Sequence, residues 1–306
     1  MTKEIILYRY HNHLELVRSR LELIQKMEPD KPIYGIFGGK AADYPQASHY
    51  LKDLLKDNYL IPVSDARWKW LHADITYKMW FREVGQHLHF DRAYILEWDL
   101  LMLEQLNKLY PNTDGNKVVC TGLIPLEKVS KFWYWTNAKN RPKVESFYNR
   151  VSRHYDQSFV RYASLGPGLS VPKAFFEGLT QLRLFEADIS DEIKIPVWSQ
   201  IMGLEPVSND FYKKWFSFFS MKFFNANVVN IKMQTIRHEM QKQKGRRVFH
   251  PFREPTDSET LYQIYRVSKK TVGHYTSESM NHAKSVRHPL AYKMHCKLIK
   301  MRNGQT

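Results

Sequence analysis

The first hundred residues predict an α/β fold, because β-rich runs and amphipathic helical runs alternate there four times. Such alternation favours a mainly parallel sheet covered by helices and built from right-handed crossovers. A second observation agrees with the first: glycine or polar residues follow each predicted strand. In sheets of this kind ligands bind outside the carboxyl ends of the strands, so these residues are the first candidates for a site.

The predicted strands are rich in β-branched and aromatic residues, and the predicted helices carry apolar residues at helical spacing. Pro29 and Pro32 break the first helix, and Gly38 and Gly39 end the second strand. The strands are predicted at 5–10, 33–37, 60–63 and 93–96, with helices between them at 14–27, 44–55 and 68–84.

From Gly115 onward the pattern changes. A strand is predicted at 117–123, and helices are predicted at 172–179, from residue 191 and at 233–244. The Gly-Pro-Gly sequence at 166–168 predicts a turn between a strand-like run and the helix that follows. After about residue 254 the chain is polar and helical in tendency, with nine Lys or Arg and three Asp or Glu in residues 255–306.

The charge balance favours a polyanionic partner. The 306 residues carry a formal net charge of +15, and the sequence pI is about 9.6. Nucleic acid, an anionic membrane surface and phosphate-bearing substrates all fit this charge. Two distant cysteines, an N-terminal apolar run too short for a signal peptide and no apolar run of about 18 residues predict a soluble, cytoplasmic protein.

Two carboxylates follow the predicted strand 93–96. Glu97 and Asp99 lie two positions apart, so in an extended segment their side chains point the same way. Hard oxygen ligands suit Mg²⁺ or Mn²⁺, and a metal held there would clamp a diphosphate. The alternative interpretation is a pair of ordinary surface acids at a strand end.

Candidate ligand contacts follow four predicted strands. Gly38 and Gly39 would let the backbone approach a nucleotide closely, or they form a plain turn. Arg9 and Lys69 are candidates for phosphate contact, or they are solvated charges. The four clusters are Arg9-Tyr10-His11, Gly38-Gly39, Ser64-Asp65 and Glu97-Trp98-Asp99.

Three features of the second half each admit two interpretations. Asp191 and Glu192 either do chemistry or stabilise the first turn of a helix, where the dipole favours acids. The aromatic segment 133–135 would stack on a sugar face, although core packing is the favoured interpretation. His250 is either structural or a ligand; it ends a short apolar run, and Pro251 stiffens the turn after it.

In this order and spacing, the motifs resemble those of the GT-A class of nucleotide-sugar glycosyltransferases over roughly residues 3–254. Glu97-Trp98-Asp99 stands where the family has Asp-x-Asp, and Gly166-Pro167-Gly168 corresponds to an acceptor-side segment. Asp191 and Glu192 precede a helix, and 248–251 is similar to the C-terminal His segment of several members. The resemblance implies a GT-A type, Rossmann-like domain at 1–254, with a nucleotide-sugar half at 1–114 and an acceptor half at 115–254. A basic helical extension would follow at 255–306.

The resemblance also implies an activity: transfer of a hexosyl or pentosyl group from a nucleoside diphosphate sugar to a hydroxyl of a glycan or lipid-phosphate-linked acceptor. Asp99 and His250, with Glu97 directly or through water, would hold Mn²⁺ or Mg²⁺. Glu97 is one methylene longer than the family's Asp, so Asp99 is the safer ligand. The implied nucleotide-sugar contacts are Arg9, Tyr10, Gly39, Asp65, Lys69, Glu97 and Trp98.

An inverting enzyme would need a base, and the resemblance implies Asp191 first and Glu192 second; a retaining enzyme would need none. Two other functions stay open. The charge and the aromatics also fit a nucleic-acid or polyanion-binding protein, although no RNP, zinc-finger or KH signature is present, which makes nucleic acid the weaker choice. Glu97 also fits a catalytically inactive GT-A scaffold. The basic extension suggests peripheral contact with an anionic membrane.

Overall fold

The computed structural model describes residues 3–111, 113, 115–209, 211–212 and 214–271. Within its first hundred residues, strands and helices alternate as the sequence predicts. The elements are β1 (Glu4–Tyr10), α1 (Leu14–Met27), β2 (Ile33–Phe37), α2 (Tyr44–Tyr50), β3 (Asp57–Leu60), α3 (Ala66–Leu71), α4 (Ala73–Glu83) and β4 (Arg92–Glu97). The bounds of α1 and β2 agree with the predicted ones, because prolines and glycines mark their ends.

The second half completes the sheet and adds a small two-stranded ribbon. Its elements are β5 (Leu101–Met102), α5 (Leu106–Leu109), β6 (Lys117–Pro125), α6 (Arg141–Tyr155), β7 (Tyr162–Pro172), α7 (Lys173–Gln181), α8 (Asp191–Ile201), β8 (Glu205–Asn209), α9 (Phe218–Met221), α10 (Met233–Met240), β9 (Val248–Phe249) and α11 (Ser258–Thr271).

Seven strands form one sheet in the order β3-β2-β1-β4-β7-β6-β8. The pairs β1–β2, β2–β3, β1–β4 and β6–β8 are parallel, whereas β7 is antiparallel to both β4 and β6. One strand of the seven therefore runs against the others. The predicted α/β class with a mainly parallel sheet and flanking helices is confirmed.

The helices lie on opposite faces of the sheet because the chain reverses its direction of travel. After β1 the chain passes through α1 to β2 and through α2 to β3, and each new strand pairs on the same side of the strand before it. It then returns through α3 and α4 to β4, which pairs on the other side of β1. Right-handed crossovers place these two pairs of helices on different faces. The carboxyl ends of β1 to β4 consequently meet at one edge of the sheet.

Three predicted elements of the first half have different bounds. The third strand covers Asp57–Leu60 and not 60–63, because Pro62 has no N–H to give to a ladder and β3 is an edge strand that tolerates Asp57 and Asn58. The second helix ends at Tyr50 and not at residue 55. The predicted helix at 68–84 is two helices, interrupted at His72, whose φ is −120° and ψ is 47°.

The predicted Gly-Pro-Gly turn is wrong, because residues 166–168 lie inside the long strand β7. Pairing of β7 with β6 shifts register twice along this stretch, as bulged strands do. Gly168 has a φ of +85°, a conformation that an L side chain rarely adopts. The glycines therefore bend a central strand and do not end it.

The main core fills both faces of the sheet, and a second, smaller cluster lies beside it. In that smaller cluster Leu23 and Met27 of α1 pack with Leu261 and Tyr265 of α11. Residues 258–271 of the predicted extension thus form a helix, α11, that packs against the domain, while residues 272–306 lie outside the described part of the chain. The domain limits at 114 and 254 and the membrane contact stay predictions. Among the described helices, none has the length and apolar character needed to cross a bilayer.

Candidate functional site

A cavity of about 1300 Å³ opens at the edge where β1, β2 and β4 end. Ten of the eleven sequence-predicted site residues line it: Arg9, Tyr10, Gly39, Lys69, Glu97, Trp98, Asp99, Asp191, Glu192 and His250. The eleventh, Asp65, caps α3 by accepting a hydrogen bond from the Arg67 N–H, and its neighbours Ser64 and Ala66 line the cavity. The cavity is larger than the range of roughly 300–1,000 Å³ usual for one ligand, so it has room for more than one.

The β5–β9 ribbon brings His250 to Asp99. Leu101 pairs with Phe249 in antiparallel register, so the residue after β9 faces the residues before β5. The Phe252 N–H donates to the Asp99 carbonyl, which closes the ribbon on this side. One ligand atom from each of Glu97, Asp99 and His250 then lies within 4.8 Å of the other two.

His250 has one nitrogen satisfied and one that faces Asp99. Its Nδ1 lies 2.8 Å from the Asn225 carbonyl, and a carbonyl only accepts, so Nδ1 carries the proton in the neutral ring. Nε2 is buried, and no described residue forms a hydrogen bond with it. It lies 3.4 Å from Asp99 Oδ1, beyond the usual 2.7–3.2 Å of an N–H···O bond.

Two electron-rich atoms that face each other in a buried site need a cation or a proton between them. A histidine whose second nitrogen is fixed by a carbonyl is the usual arrangement of a metal-ligating imidazole. With a proton on Nε2 in place of a cation, His250 is positively charged. In that state burial raises the pKa of Asp99, but His250 and Arg253 outweigh burial and lower this pKa to about 2. The donor set of two carboxylates and one imidazole fits Mn²⁺ or Mg²⁺.

Arg253, which sequence reasoning missed, holds the other oxygen of Asp99. Its Nε and Nη2 donate to Asp99 Oδ2 at 3.0 and 2.7 Å, and its guanidinium lies 5.3 Å from the centre of the Trp98 ring. Oδ2 is therefore engaged and Oδ1 remains for a cation. The only sequence signal was an arginine three positions after His250.

Arg9 lies between the two acidic pairs of the site, Glu97 with Asp99 and Asp191 with Glu192. Its Nη1 lies 3.2 Å from Glu97 Oε1, 3.9 Å from Asp191 Oδ2 and 3.2 Å from the Tyr77 hydroxyl. Burial raises the pKa of Glu97, and Arg9 opposes that effect. The guanidinium thus already balances the partly exposed carboxylate of Glu97 and the buried one of Asp191, which is a different task from the predicted phosphate contact.

Lys69 and Gly39 shape the loop that follows β2. Lys69 Nζ donates to the carbonyls of Gly38 and Gly39 at 3.0 and 2.7 Å, and burial lowers the pKa of this lysine. A Cβ on Gly39 would stand 2.4 Å from the His11 carbonyl oxygen. Only glycine fits there, so the loop after β2 and the loop after β1 stay in contact at the cavity wall.

Asp191 and Glu192 begin α8 and also face the cavity. Ser190 caps the helix by accepting from the Glu192 N–H. Glu192 Oε1 accepts from the Gly166 N–H at 3.1 Å, and Oε2 accepts from Trp135 Nε1 at 3.2 Å. Burial, with the charge of Asp191, raises the pKa of Glu192 to about 8, and burial also raises the pKa of Asp191. Both interpretations of the pair therefore apply: the acids start the helix and lie in the cavity.

The pKa of Glu192 makes stability depend on pH. The folded protein keeps a proton that the unfolded chain releases near pH 4.5, so stability is lost as pH rises from about 4.5 towards about 8. Glu192→Gln has no proton to release. We therefore expect the urea midpoint of this variant, minus that of the wild-type protein, to increase as pH rises over this range. Both midpoints are measured in EDTA. A difference between the two midpoints that stays constant with pH would contradict the raised pKa.

The predicted aromatic segment separates into two roles. Trp133 is a core residue, buried and packed edge-on against Trp215 with ring centres 5.5 Å apart. Trp135 is buried too and lines the cavity, as Trp133 does, but its Nε1 donates to Glu192. Tyr134 lies between them in sequence and is 58% exposed.

No protein-family model matches the chain, and no curated protein matches it. The chain is similar to the WbbM bifunctional glycosyltransferase, with 8% identity, a TM-score of 0.42 and coverage of 89% of this chain and 52% of that one, so it spans about half of WbbM. It is similar to 4-diphosphocytidyl-2C-methyl-D-erythritol synthase, with 10% identity, a TM-score of 0.40 and coverage of 68% and 88%.

A third similar structure, from Desulfovibrio desulfuricans G20, is provisionally named a nucleotide-diphospho-sugar transferase. The identity is 10%, the TM-score is 0.35, and the match covers 68% of this chain and 80% of that one. Because all three TM-scores are below 0.5, what this chain does has to be inferred from the geometry of its cavity.

Proposed function

We propose that this chain is a metal-dependent glycosyltransferase that moves a sugar from a nucleoside diphosphate sugar to a hydroxyl of a glycan or lipid-linked acceptor. The observation that carries the proposal is the convergence of Glu97, Asp99 and His250, with the His250 Nε2 buried and unpaired, in a cavity roomy enough for two substrates. The site lies where α/β sheets bind ligands, outside the carboxyl ends of β1, β2 and β4.

In this proposal Asp99 and His250 are direct ligands, and Glu97 completes the set. A bound Mn²⁺ or Mg²⁺ would supply positive charge for the leaving nucleoside diphosphate. Arg253 keeps Asp99 oriented through Oδ2, and the Asn225 carbonyl keeps the proton of His250 on Nδ1. These two contacts prepare the ligand atoms before any substrate arrives.

The donor would lie along the loops after β1 and β2, where Tyr10, Gly39 and the neighbours of Asp65 line the cavity. Lys69 acts there by holding the loop carbonyls, and Arg9 by balancing Glu97 and Asp191. These assignments extend the GT-A resemblance to particular atoms.

The acceptor would lie between the metal ligands and the N-terminus of α8. For an inverting reaction, Asp191 is our first choice of base for the acceptor hydroxyl, and Glu192 is the second, with a pKa raised to about 8 that suits proton transfer near neutral pH. For a retaining reaction neither is needed as a base. The anomeric configuration of the first-formed product, read by NMR, distinguishes the two courses.

The first test is the melting temperature of the wild-type protein with uridine, guanosine, cytidine, adenosine and thymidine diphosphates, each in Mn²⁺ and in EDTA. A ligand at 100 times its Kd stabilises the folded state by about 2.7 kcal/mol, which is several degrees for a domain of this size. We expect one nucleotide to raise the melting temperature in Mn²⁺ and to lose that effect in EDTA.

The same experiment addresses the polyanion-binding alternative, which the charge of +15 favours. That alternative predicts no nucleotide-specific shift, together with tight RNA or heparin binding that ignores Mn²⁺ and weakens steeply with salt. An inactive scaffold predicts no metal-dependent nucleotide binding. Either pattern would replace the transferase proposal.

A further inference from the structure

Two large aromatic side chains stand in solvent at the mouth of the cavity. Trp70 on α3 is 54% exposed and Tyr134 is 58% exposed, and the only other aromatic side chain as open to solvent in the described chain is Phe219, which lies outside the cavity. Isolated exposed aromatics are ordinary, but these two meet around a third ring, Trp135. We call Trp70, Tyr134 and Trp135 the aromatic rim.

The rim is assembled from two distant parts of the chain. The Trp70 and Trp135 ring centres are 5.5 Å apart with a 34° tilt, and the Tyr134 and Trp135 rings meet edge-on at 5.0 Å. Trp70 follows Lys69 on the helix, so the two side chains diverge: Lys69 points to the loop after β2 and Trp70 points across to Trp135. The rim therefore joins α3 to the turn at 134–136 at the wall of the cavity.

The rim is held in place before any ligand binds. The Tyr134 carbonyl accepts from Asn140 Nδ2 at 3.0 Å, which fixes its turn, and Trp135 Nε1 donates to Glu192. Aromatic side chains have only two rotatable torsions, so ordering them on a ligand costs little entropy. The exposed Trp70 ring is itself a flat apolar face, which is suited to a flat apolar face of a ligand.

We propose that the aromatic rim binds a sugar ring of the acceptor, which makes the acceptor a glycan; this inference rests on the proposed transferase function. A pyranose has one face of C–H groups and an edge of hydroxyls. The C–H face would lie on the Trp70 ring, with the Tyr134 ring at an angle beside it, and burial of apolar surface would drive binding. The hydroxyl edge would then point along Trp135 towards Glu192, an acid of the cavity to which Trp135 Nε1 donates.

The test is binding of the full-length protein, in Mn²⁺, to an array of neutral glycans, followed by titration of the best-bound one. We expect Trp70→Ala and Tyr134→Ala each to weaken that binding about 10-fold, as loss of a stacking residue does at a binding hot spot. Trp70→Phe keeps an aromatic face and should retain most of the affinity. Phe219→Ala, which removes an equally exposed ring outside the cavity, should bind as the wild type does.

The nucleotide-dependent melting shift is measured on the same variants, because it separates this proposal from the proposed function. We expect that shift to be unchanged in Trp70→Ala and Tyr134→Ala. Loss of the nucleotide shift with unchanged glycan binding would mean that the rim stacks a nucleobase and would overturn the proposal. Wild-type protein that binds no glycan, or variants equal to Phe219→Ala, would overturn it as well, even where the nucleotide shift is intact.

Discussion

Asp99→Asn is expected to lower the affinity for Mn²⁺, and any Mn²⁺-supported transfer, by at least roughly 10–100-fold. Loss of a group that only supports a metal ligand already costs that much, and Asp99 is proposed as a ligand itself. Asp99 Oδ1 is the charged atom that faces the unpaired His250 Nε2. In the variant an amide N–H can donate to Nε2, which fills the place of the cation with a hydrogen bond. Titration calorimetry with Mn²⁺ measures the effect directly.

The matched control is Asp53→Asn, which makes the same chemical change at an exposed acid paired with Arg18, outside the cavity. Its Mn²⁺ affinity should equal that of the wild type. Because the new amide would satisfy Nε2 of His250, the Asp99→Asn protein should fold, and its far-UV spectrum and unfolding cooperativity check this. Undiminished Mn²⁺ binding by a folded Asp99→Asn protein would remove Asp99 from the metal site.

Lys194→Met is expected to lower the free energy of unfolding by about 3–5 kcal/mol, the cost of leaving one partner of a buried ion pair without the other. Lys194 Nζ lies 2.8 Å from Asp74 Oδ1, and both side chains are fully buried. Lys194 Nζ also contacts His72 Nδ1 at 2.9 Å, so His72, where α3 and α4 meet, would lose this partner too. Urea midpoints with a common slope measure the change.

Two further variants test the reason for that loss. The double variant Lys194→Met with Asp74→Asn has no uncompensated buried charge. Trp198 Nε1 donates to Asp74 Oδ2 at 2.9 Å, and the asparagine keeps an acceptor for it. The double variant should therefore recover most of the stability. Lys143→Met breaks a surface pair with Asp188 and should cost no more than about 1 kcal/mol. If Lys194→Met is as stable as Lys143→Met, the buried pair does not hold α8 to α4.

Local signals made the first strands and the first helix predictable. Pro29 and Pro32, then Gly38 and Gly39, mark the ends of α1 and β2 within the sequence itself. The strands β3 and β7 were misplaced because their limits depend on distant pairing partners: β3 follows the register of β2, and β7 stays in the sheet through Gly168 because β4 and β6 pair on both sides of it.

In the candidate site, too, the residues with a local sequence signal were predictable and those that depend on distant pairing were not. Glu97 and Asp99 stood out as neighbours in sequence at a strand end, and His250 stood out through the resemblance. That His250 meets Asp99 depends on the β5–β9 pairing, which no local pattern reveals. Arg253, Tyr77 and Trp70 were not predicted as site residues because a lone arginine, tyrosine or tryptophan has no signature until the fold places it beside a partner.

The β5–β9 ribbon also has a consequence for the order of assembly. Asp99 and His250 are about 150 residues apart in the chain, and four residues of ladder join the strands beside them. During synthesis the first four strands can be complete before His250 is made, so a nascent or truncated chain lacks one of the proposed metal ligands. Closing so long a loop is slow and entropically costly. Metal affinity would therefore indicate that the segment with β9 and His250 has packed against β5. A bound cation would in turn stabilise that packing.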